Sequence, residues 1–263
     1  QQLDEALPKI CIEIFAIGNE LCYGKIYDTN SFWIAEQVTQ LGANVQRITC
    51  IPDDIDTICC GLSEALSRNP QFIILTGGLG PTSDDLTIEA LSKLFNSKIT
   101  IDKEILKLMA ERRKTIVEQL PPHLVKMLRT LEGAECLPNP LGWAPVTVIQ
   151  KGETMIFALP GPPKEAKACF VEYLARRIRE RTGRESESQR VFVNMYESQV
   201  SPITDEIMKS MPGVYLKPLV SEYQTDKGLP IEIIAFAENR EACQKKIMEI
   251  IERLEKLVNS KKQ

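Results

Sequence analysis

The residues of this sequence whose types and spacing carry most chemistry lie together in Thr76-Gly77-Gly78-Leu79-Gly80-Pro81-Thr82-Ser83-Asp84-Asp85. Glycines let a backbone approach a phosphate closely and point successive N–H groups at it. The first turn of a following helix adds unpaired amides and a positive dipole end. The apolar run Phe72-Ile73-Ile74-Leu75 in front reads as a buried strand and a helical pattern follows, so the segment has the strand, loop and helix context of an anion site. It matches neither the Gly-Lys-Ser/Thr phosphate loop nor Gly-x-Gly-x-x-Gly. Asp84 and Asp85 sharpen the reading: two carboxylates beside a phosphate repel it unless a cation lies between them, so a divalent metal is expected on this pair. The alternative is that Ser83, Asp84 or Asp85 caps the helix.

A second polar loop, Gly18-Asn19-Glu20-Leu21-Cys22-Tyr23-Gly24, ends the first apolar run, and Asp28-Thr29-Asn30-Ser31 opens a helix. In a doubly wound parallel sheet the loops after strands one and three emerge at the same carboxyl edge, where ligands bind, so Glu20 and Asp28 are expected to face Asp85 across one cleft. Asp28, Asn30 and Ser31 serve equally as N-cap residues, whereas Glu20 has no capping role to explain it. Two further turn-rich segments, 138–145 and 159–165, hold proline and glycine at a density that fixes loop shape. The single histidine, His123, follows Pro121-Pro122 in a connecting turn, so histidine-clustered metal sites are excluded within one chain. Chemistry must then run on carboxylates, hydroxyls, amides, lysine or metal.

The elements that must position these residues follow from periodicity. Near-continuous apolar runs at 10–17, 44–50 and 72–76 predict three strands, with Glu13 interrupting the first. Between them Ile34, Ala35, Val38 and Leu41, and then Ile55, Ile58, Cys59, Leu62, Ala65 and Leu66, recur at helical spacing. A third helix follows Asp85, a fourth is predicted over 103–119, strands return at 146–150 and 154–159, and a long helix follows Pro163. The polar stretch 180–189 predicts a linker. Beyond it come a strand at 191–196, a helix at 202–211, strands at 214–217 and 231–237, and a strongly amphipathic helix at 240–258. Alternating strands and helices predict an α/β fold, a doubly wound mostly parallel sheet in three layers, with a smaller α+β domain behind it: domains 1–182 and 186–263.

Composition agrees with a globular protein, 43% hydrophobic and 26% charged over 263 residues. A net charge of −4 gives no whole-molecule attraction to nucleic acid or anionic lipid. The basic clusters at 112–114 and 176–184 read as solvated helix faces. Eight cysteines without a Cys-x-x-Cys pair, no leader segment and no apolar stretch of about 18 residues predict reduced thiols and a cytoplasmic protein.

Four segments in order, at 18–21 with 28–30, at 76–85, at 139–145 and at 159–165, resemble the molybdopterin-binding-like family, and specifically the N-terminal region of the CinA-like competence/damage-inducible proteins. The resemblance is strong over about residues 9–182 and weaker over 190–258. Asn19 stands where the family usually has Asp, and Val146 where Gly often follows Ala-Pro. The resemblance implies metal-dependent hydrolysis of a nucleotide pyrophosphate, typically ADP-ribose, to AMP and ribose 5-phosphate. It assigns Asp85, Asp84 and Glu20 as catalytic, with Mg²⁺, Mn²⁺ or Co²⁺ on Asp85 and Asp84. The ligand would lie on Thr76, Gly77, Gly78, Gly80, Pro81, Thr82, Asp28, Asn30, Ser31, Asn139, Gly142, Ala144, Pro160 and Gly161, with Lys164 a candidate cation for the leaving phosphate. Relatives of this fold also transfer AMP to molybdopterin, so a nucleotidyltransferase and a non-catalytic nucleotide-binding module stay open. The chain ends after the second domain, so the nicotinamide mononucleotide deamidation of a further C-terminal domain is not expected. The second domain lacks a Gly-x-x-Gly backbone clamp and its cations are matched by acids, so no nucleic-acid partner is expected. Its expected task is to cover one side of the first domain's cleft or to mediate self-association, hence a homo-oligomer, with no membrane partner.

Overall fold

The computed structural model describes residues 10–260. β1 (Cys11–Ile17) is followed by a single helical turn, α1 (Asn19–Cys22), then by α2 (Thr29–Gln40), β2 (Asn44–Ile51), α3 (Ile55–Ser67), β3 (Phe72–Thr76) and α4 (Thr87–Phe95). Then come β4 (Ile99–Ile101), α5 (Lys103–Arg112), α6 (Pro122–Met127), β5 (Arg129–Leu131), β6 (Glu135–Leu137), β7 (Val146–Lys151) and β8 (Thr154–Leu159). α7 (Pro163–Cys169) runs through a π turn at Phe170–Leu174 into α8 (Ala175–Thr182). β9 (Glu185–Val193), α9 (Glu197–Ser210), β10 (Val214–Pro218), β11 (Leu229–Ala237) and α10 (Arg240–Ser260) follow.

Six strands form one sheet in the order β2-β1-β3-β8-β7-β6. β1 and β8 run parallel to β3; β7 turns back antiparallel to β8, and β6 pairs antiparallel with β7, regaining the direction of β8. Every residue of β3 is buried, as expected for a strand covered on both faces. Phe15, Phe72 and Phe157 are fully buried, each contributing about 1.5–3 kcal/mol relative to exposure. The interruption at Glu13 has a partner: Arg68, the residue after α3, donates from Nε and Nη2 to its two carboxylate oxygens, both at 2.7 Å. Glu13 is fully buried, so removing Arg68 would leave an uncompensated charge costing about 3–5 kcal/mol.

By contacts the chain divides into two compact units, 10–37 with 45–177, and 38–44 with 178 onward. The short segment 38–44 belongs with the second unit because Thr182 Oγ1 donates to the Leu41 carbonyl at 2.8 Å and Ser186 Oγ to that of Thr39 at 2.7 Å. Within that unit an antiparallel sheet β10-β11-β9 carries α9 and α10, whose Val200, Ile203, Ile207, Ile247, Ile250 and Leu254 close a core over Ile231 and Ile233. The strand, helix, strand, strand, helix order is the one the periodicity predicts.

Several local expectations are corrected. The helix predicted over 103–119 stops at Arg112, after which Lys114 takes φ 53° and a 3₁₀ turn covers Val117–Gln119. The predicted linker at 180–189 is occupied by the end of α8 and the start of β9. β9 begins at Glu185 rather than 191 because it pairs with β11 along its whole length, from Glu185 opposite Ala237 to Val193 opposite Leu229. The loop at 18–24 contains α1. The strands β4, β5 and β6, three residues each, are too short to leave a period in the sequence. Among the described residues no helix is long and apolar enough to cross a membrane.

Candidate functional site

Because β1, β3 and β8 are mutually parallel along β3, their C-terminal ends reach one edge of the sheet. The end of β2 is held there as well, since Gly18 N–H donates to the Ile51 carbonyl at 3.1 Å. Four loops therefore meet, and between them lies a cavity of about 440 Å³. That lies within the roughly 300–1,000 Å³ typical of small-molecule sites.

The floor is the glycine loop. Gly77 has φ 98° and a Cβ there would stand 2.2 Å from the Ile17 carbonyl oxygen; Gly78 has φ 66° and a Cβ would meet Thr87 Oγ1 at 2.2 Å. Only glycine fits either place. Thr87 is the loop's internal brace: its hydroxyl donates to the Gly77 carbonyl at 2.8 Å and its N–H to that of Gly78 at 3.1 Å. The Gly77 N–H donates to the Leu159 carbonyl at 3.1 Å, so of the three glycine amides expected to receive a phosphate this one is already engaged. Those of Gly78 and Gly80 donate to no group among the described residues.

α4 begins at Thr87 with Leu86 as its cap and no side-chain capping bond, so neither Ser83, Asp84 nor Asp85 caps it. Asp85 instead folds back over Gly80, where a Cβ would lie 2.5 Å from its Oδ2. That oxygen accepts from the Thr82 N–H at 2.8 Å and from the Thr82 hydroxyl. The Thr82 hydroxyl and its own backbone N–H hold the Asp84 carboxyl below the usual carboxylate range, and the Lys126 ammonium adds to this. Lys126, on α6, clasps the loop from behind by donating to the carbonyls of Thr82 and, at 3.3 Å, Asp85.

The facing wall comes from segments 17–30 and 53. Glu20 stands on α1 with its carboxylate folded over Gly18. Asn19 and Asp53 are joined twice: Asn19 N–H donates to Asp53 Oδ2 at 2.8 Å, and Asp53 N–H to Asn19 Oδ1 at 3.3 Å. Burial raises the Asp53 carboxyl above its ordinary pKa; the Asn19 N–H opposes this, and Glu20, Asp84 and Asp85 add to the rise. Asp28 caps α2 by accepting the Ser31 N–H at 3.0 Å, and it lines the cavity too. Asn30 Nδ2 donates to the Gly161 carbonyl at 2.8 Å. Its Oδ1 and Ser31 Oγ are buried without a partner among the described residues. Ile26 and Tyr27 form an exposed apolar rim, Tyr27 at 92% exposure.

Of the expected site residues the cavity brings together Glu20, Asp28, Asn30, Thr76, Gly77, Gly78, Gly80, Thr82, Asp84, Asp85 and Gly161. Pro81, Ser31, Asn139, Gly142, Ala144, Pro160 and Lys164 lie outside its lining. Asn139 is fully buried and fully engaged: Oδ1 accepts the N–H groups of Leu141 and Gly142 at 3.0 and 2.9 Å, and Nδ2 donates to Glu165 Oε2 at 2.7 Å. Gly142 leaves room for that carboxylate, which a Cβ would meet at 2.0 Å, and Ala144 sits in the hydrophobic core. The lining also holds Asp53, which sequence reasoning missed. Its only signal is position, at the end of β2. Lys126 and Thr87 were missed as well, and they act by holding the loop.

Among the described residues five carboxylates, Glu20, Asp28, Asp53, Asp84 and Asp85, line the cavity and no lysine, arginine or histidine does. No three of the carboxylate, thiol and imidazole groups converge as a ready-made metal set among the described residues.

The family described as probable molybdopterin binding domain matches residues 13–180. A protein of Pyrobaculum arsenaticum is 33% identical over 251 residues, 94% of each chain, so it aligns with both units. A CinA-like protein of Thermosipho melanesiensis is 37% identical over 161 residues, covering 61% of this chain and 40% of that one. Among solved structures, a CinA protein of unknown function from Thermoplasma acidophilum superposes with TM-score 0.59 at 29% identity, over 64% of this chain and 97% of that one.

Proposed function

We propose that this chain, which belongs to the molybdopterin-binding domain family and is CinA-like, hydrolyses the pyrophosphate bond of a nucleotide such as ADP-ribose, giving AMP and ribose 5-phosphate. The observation that carries the reading is the pairing, in one cavity, of a left-handed glycine loop with free amides and five carboxylates without a lining cation. The loop suits a phosphate, and the acids would repel one unless a metal came with it. The donors suit a hard ion, because Mg²⁺ takes one or two protein carboxylates and completes its shell with water and substrate phosphates. Asp85 and Asp84 would hold Mg²⁺, Mn²⁺ or Co²⁺, which neutralises charge building on the phosphate oxygens.

The chain's own groups do the rest. The N–H groups of Gly78 and Gly80 and the Thr76 hydroxyl orient the phosphates, and Thr82 fixes the Asp85 carboxylate. Glu20 takes a proton from the attacking water as the water oxygen bonds to one phosphorus and the bridging P–O bond breaks, the other phosphate leaving with the bridging oxygen. The base stacks on Tyr27 and Ile26 at the rim. The protein would act in the cytoplasm as a homo-oligomer, without nucleic-acid or membrane partners. The family's description favours one second reading, transfer of AMP to a pterin acceptor in place of water. Incubating the purified chain with ADP-ribose and each of the three metals, and separating products by chromatography, tests both. AMP without added acceptor is expected. AMP transfer appearing only with a pterin would replace the hydrolase reading, and no AMP chemistry under either condition would leave the non-catalytic nucleotide-binding module.

A further inference from the structure

Beside the cavity two thiols meet. Cys22, the last residue of α1, and Cys50, one residue before the end of β2, lie with Sγ atoms 3.7 Å apart and are both exposed. The segments that carry them are already joined next to the pair, by the Gly18 N–H to Ile51 carbonyl bond and by the two Asn19–Asp53 bonds. A disulfide sulfur pair stands roughly 2.05 Å apart, so the thiols must close by roughly 1.7 Å. α1 can supply that movement, being a four-residue turn with no buried residue.

We propose that Cys22 and Cys50 form a reversible dithiol modification site whose reactants are small two-electron oxidants, peroxides in the first place. The chemistry balances in two steps. Cys22 attacks one peroxide oxygen, becoming a sulfenic acid as water leaves; the Cys50 thiol then displaces a second water and the sulfur–sulfur bond forms. Two thiols give up two electrons and two protons, and hydrogen peroxide becomes two waters. A small dithiol reverses the change by exchange. Partial desolvation against the fold and the neighbouring Cys22 push the Cys50 thiol up to about 11, so Cys50 takes the resolving part. Closure ties the turn bearing Glu20 to the strand that delivers Asp53, placing a redox input against one wall of the cavity.

The remaining cysteines offer a contrast. Cys169 and Cys243 are buried, and the thiols of Cys59 and Cys60 are turned to the Ala90 carbonyl and to Glu64. Titrating the full chain with hydrogen peroxide, blocking residual thiols with iodoacetamide and mapping non-reduced peptides by mass spectrometry tests the proposal without reference to any nucleotide activity. The expected result is one dominant cross-linked species joining the peptides of Cys22 and Cys50, two mass units lighter, restored by dithiothreitol and absent from Cys22→Ser. Carbamidomethylation of both cysteines after peroxide treatment, overoxidation of Cys22 without the cross-link, or pairing of either with another cysteine would overturn it. Cys50→Ser provides the second check: it should accumulate a Cys22 sulfenic acid trapped by dimedone, and an absence of that adduct would also count against the site.

Discussion

The loops at 76–85 and 139–145 look alike in composition, both dense in glycine and proline at the end of an apolar stretch, yet they do opposite things. The second turns inward: Asn139 spends its carbonyl and amide on Leu141, Gly142 and Glu165, and Arg112 Nη1 closes the turn by donating to the carbonyls of Asn139 and Gly142 at 2.8 and 3.1 Å. The first turns outward. Thr87 braces it from below and Lys126 from behind, and two glycine amides and two carboxylates are left toward a cavity. A polar loop whose hydrogen-bonding groups are satisfied internally is scaffold, whereas one whose groups are held in place but unmatched is a site in waiting for a ligand.

Substitutions can break that contrast. Asp85→Asn keeps shape and removes charge, so turnover of ADP-ribose should fall about 10²–10³-fold with an unchanged melting temperature, as steady-state AMP release and calorimetry would read; turnover within a few-fold of the parent would remove Asp85 from the chemistry. Glu20→Gln should lower the rate about 10²-fold, read as steady-state AMP release; a rate within a few-fold of the parent would remove Glu20 from the chemistry. Asn139→Ala should act on the other side of the comparison. It strands two N–H groups and the Glu165 carboxylate, so denaturant unfolding should show a loss of about 1–3 kcal/mol while activity per folded molecule stays within a few-fold.

The smallest effect is expected at Asp53. Its folded-state pKa is raised, so the folded protein favours its protonated form and ionisation at neutral pH costs stability. Asp53→Asn should therefore raise the melting temperature slightly at pH 7, and the difference should vanish as pH falls below the carboxylate range, where both states are protonated. A variant less stable than the parent at pH 7 would show that the bonds to Asn19 outweigh the repulsion.

Much of the sheet was legible because buried parallel strands leave continuous apolar runs, and the loop at 76–85 because its glycines and acids are contiguous. Asp53 was not, because its partner Asn19 is 34 residues away and the neighbouring Asp54 supplies the visible helix cap, accepting the Thr57 N–H. Lys126 is likewise distant, 44 residues from the carbonyl it holds. Local pattern also misjudged the start of β9, since Glu185 to Gln189 looks like a linker until its pairing with β11 is known. Asn139 and Gly142 carried a strong motif, but a motif cannot distinguish groups that bind a ligand from groups that bind each other.

The central claim, that five carboxylates make nucleotide binding depend on a metal, is tested most directly by calorimetric titration of the chain with a non-hydrolysable methylene analogue of ADP-ribose, in EDTA and in Mg²⁺. Saturable binding is expected with Mg²⁺, and at least a hundredfold weaker binding in EDTA. Equal affinity in the two solutions would contradict it.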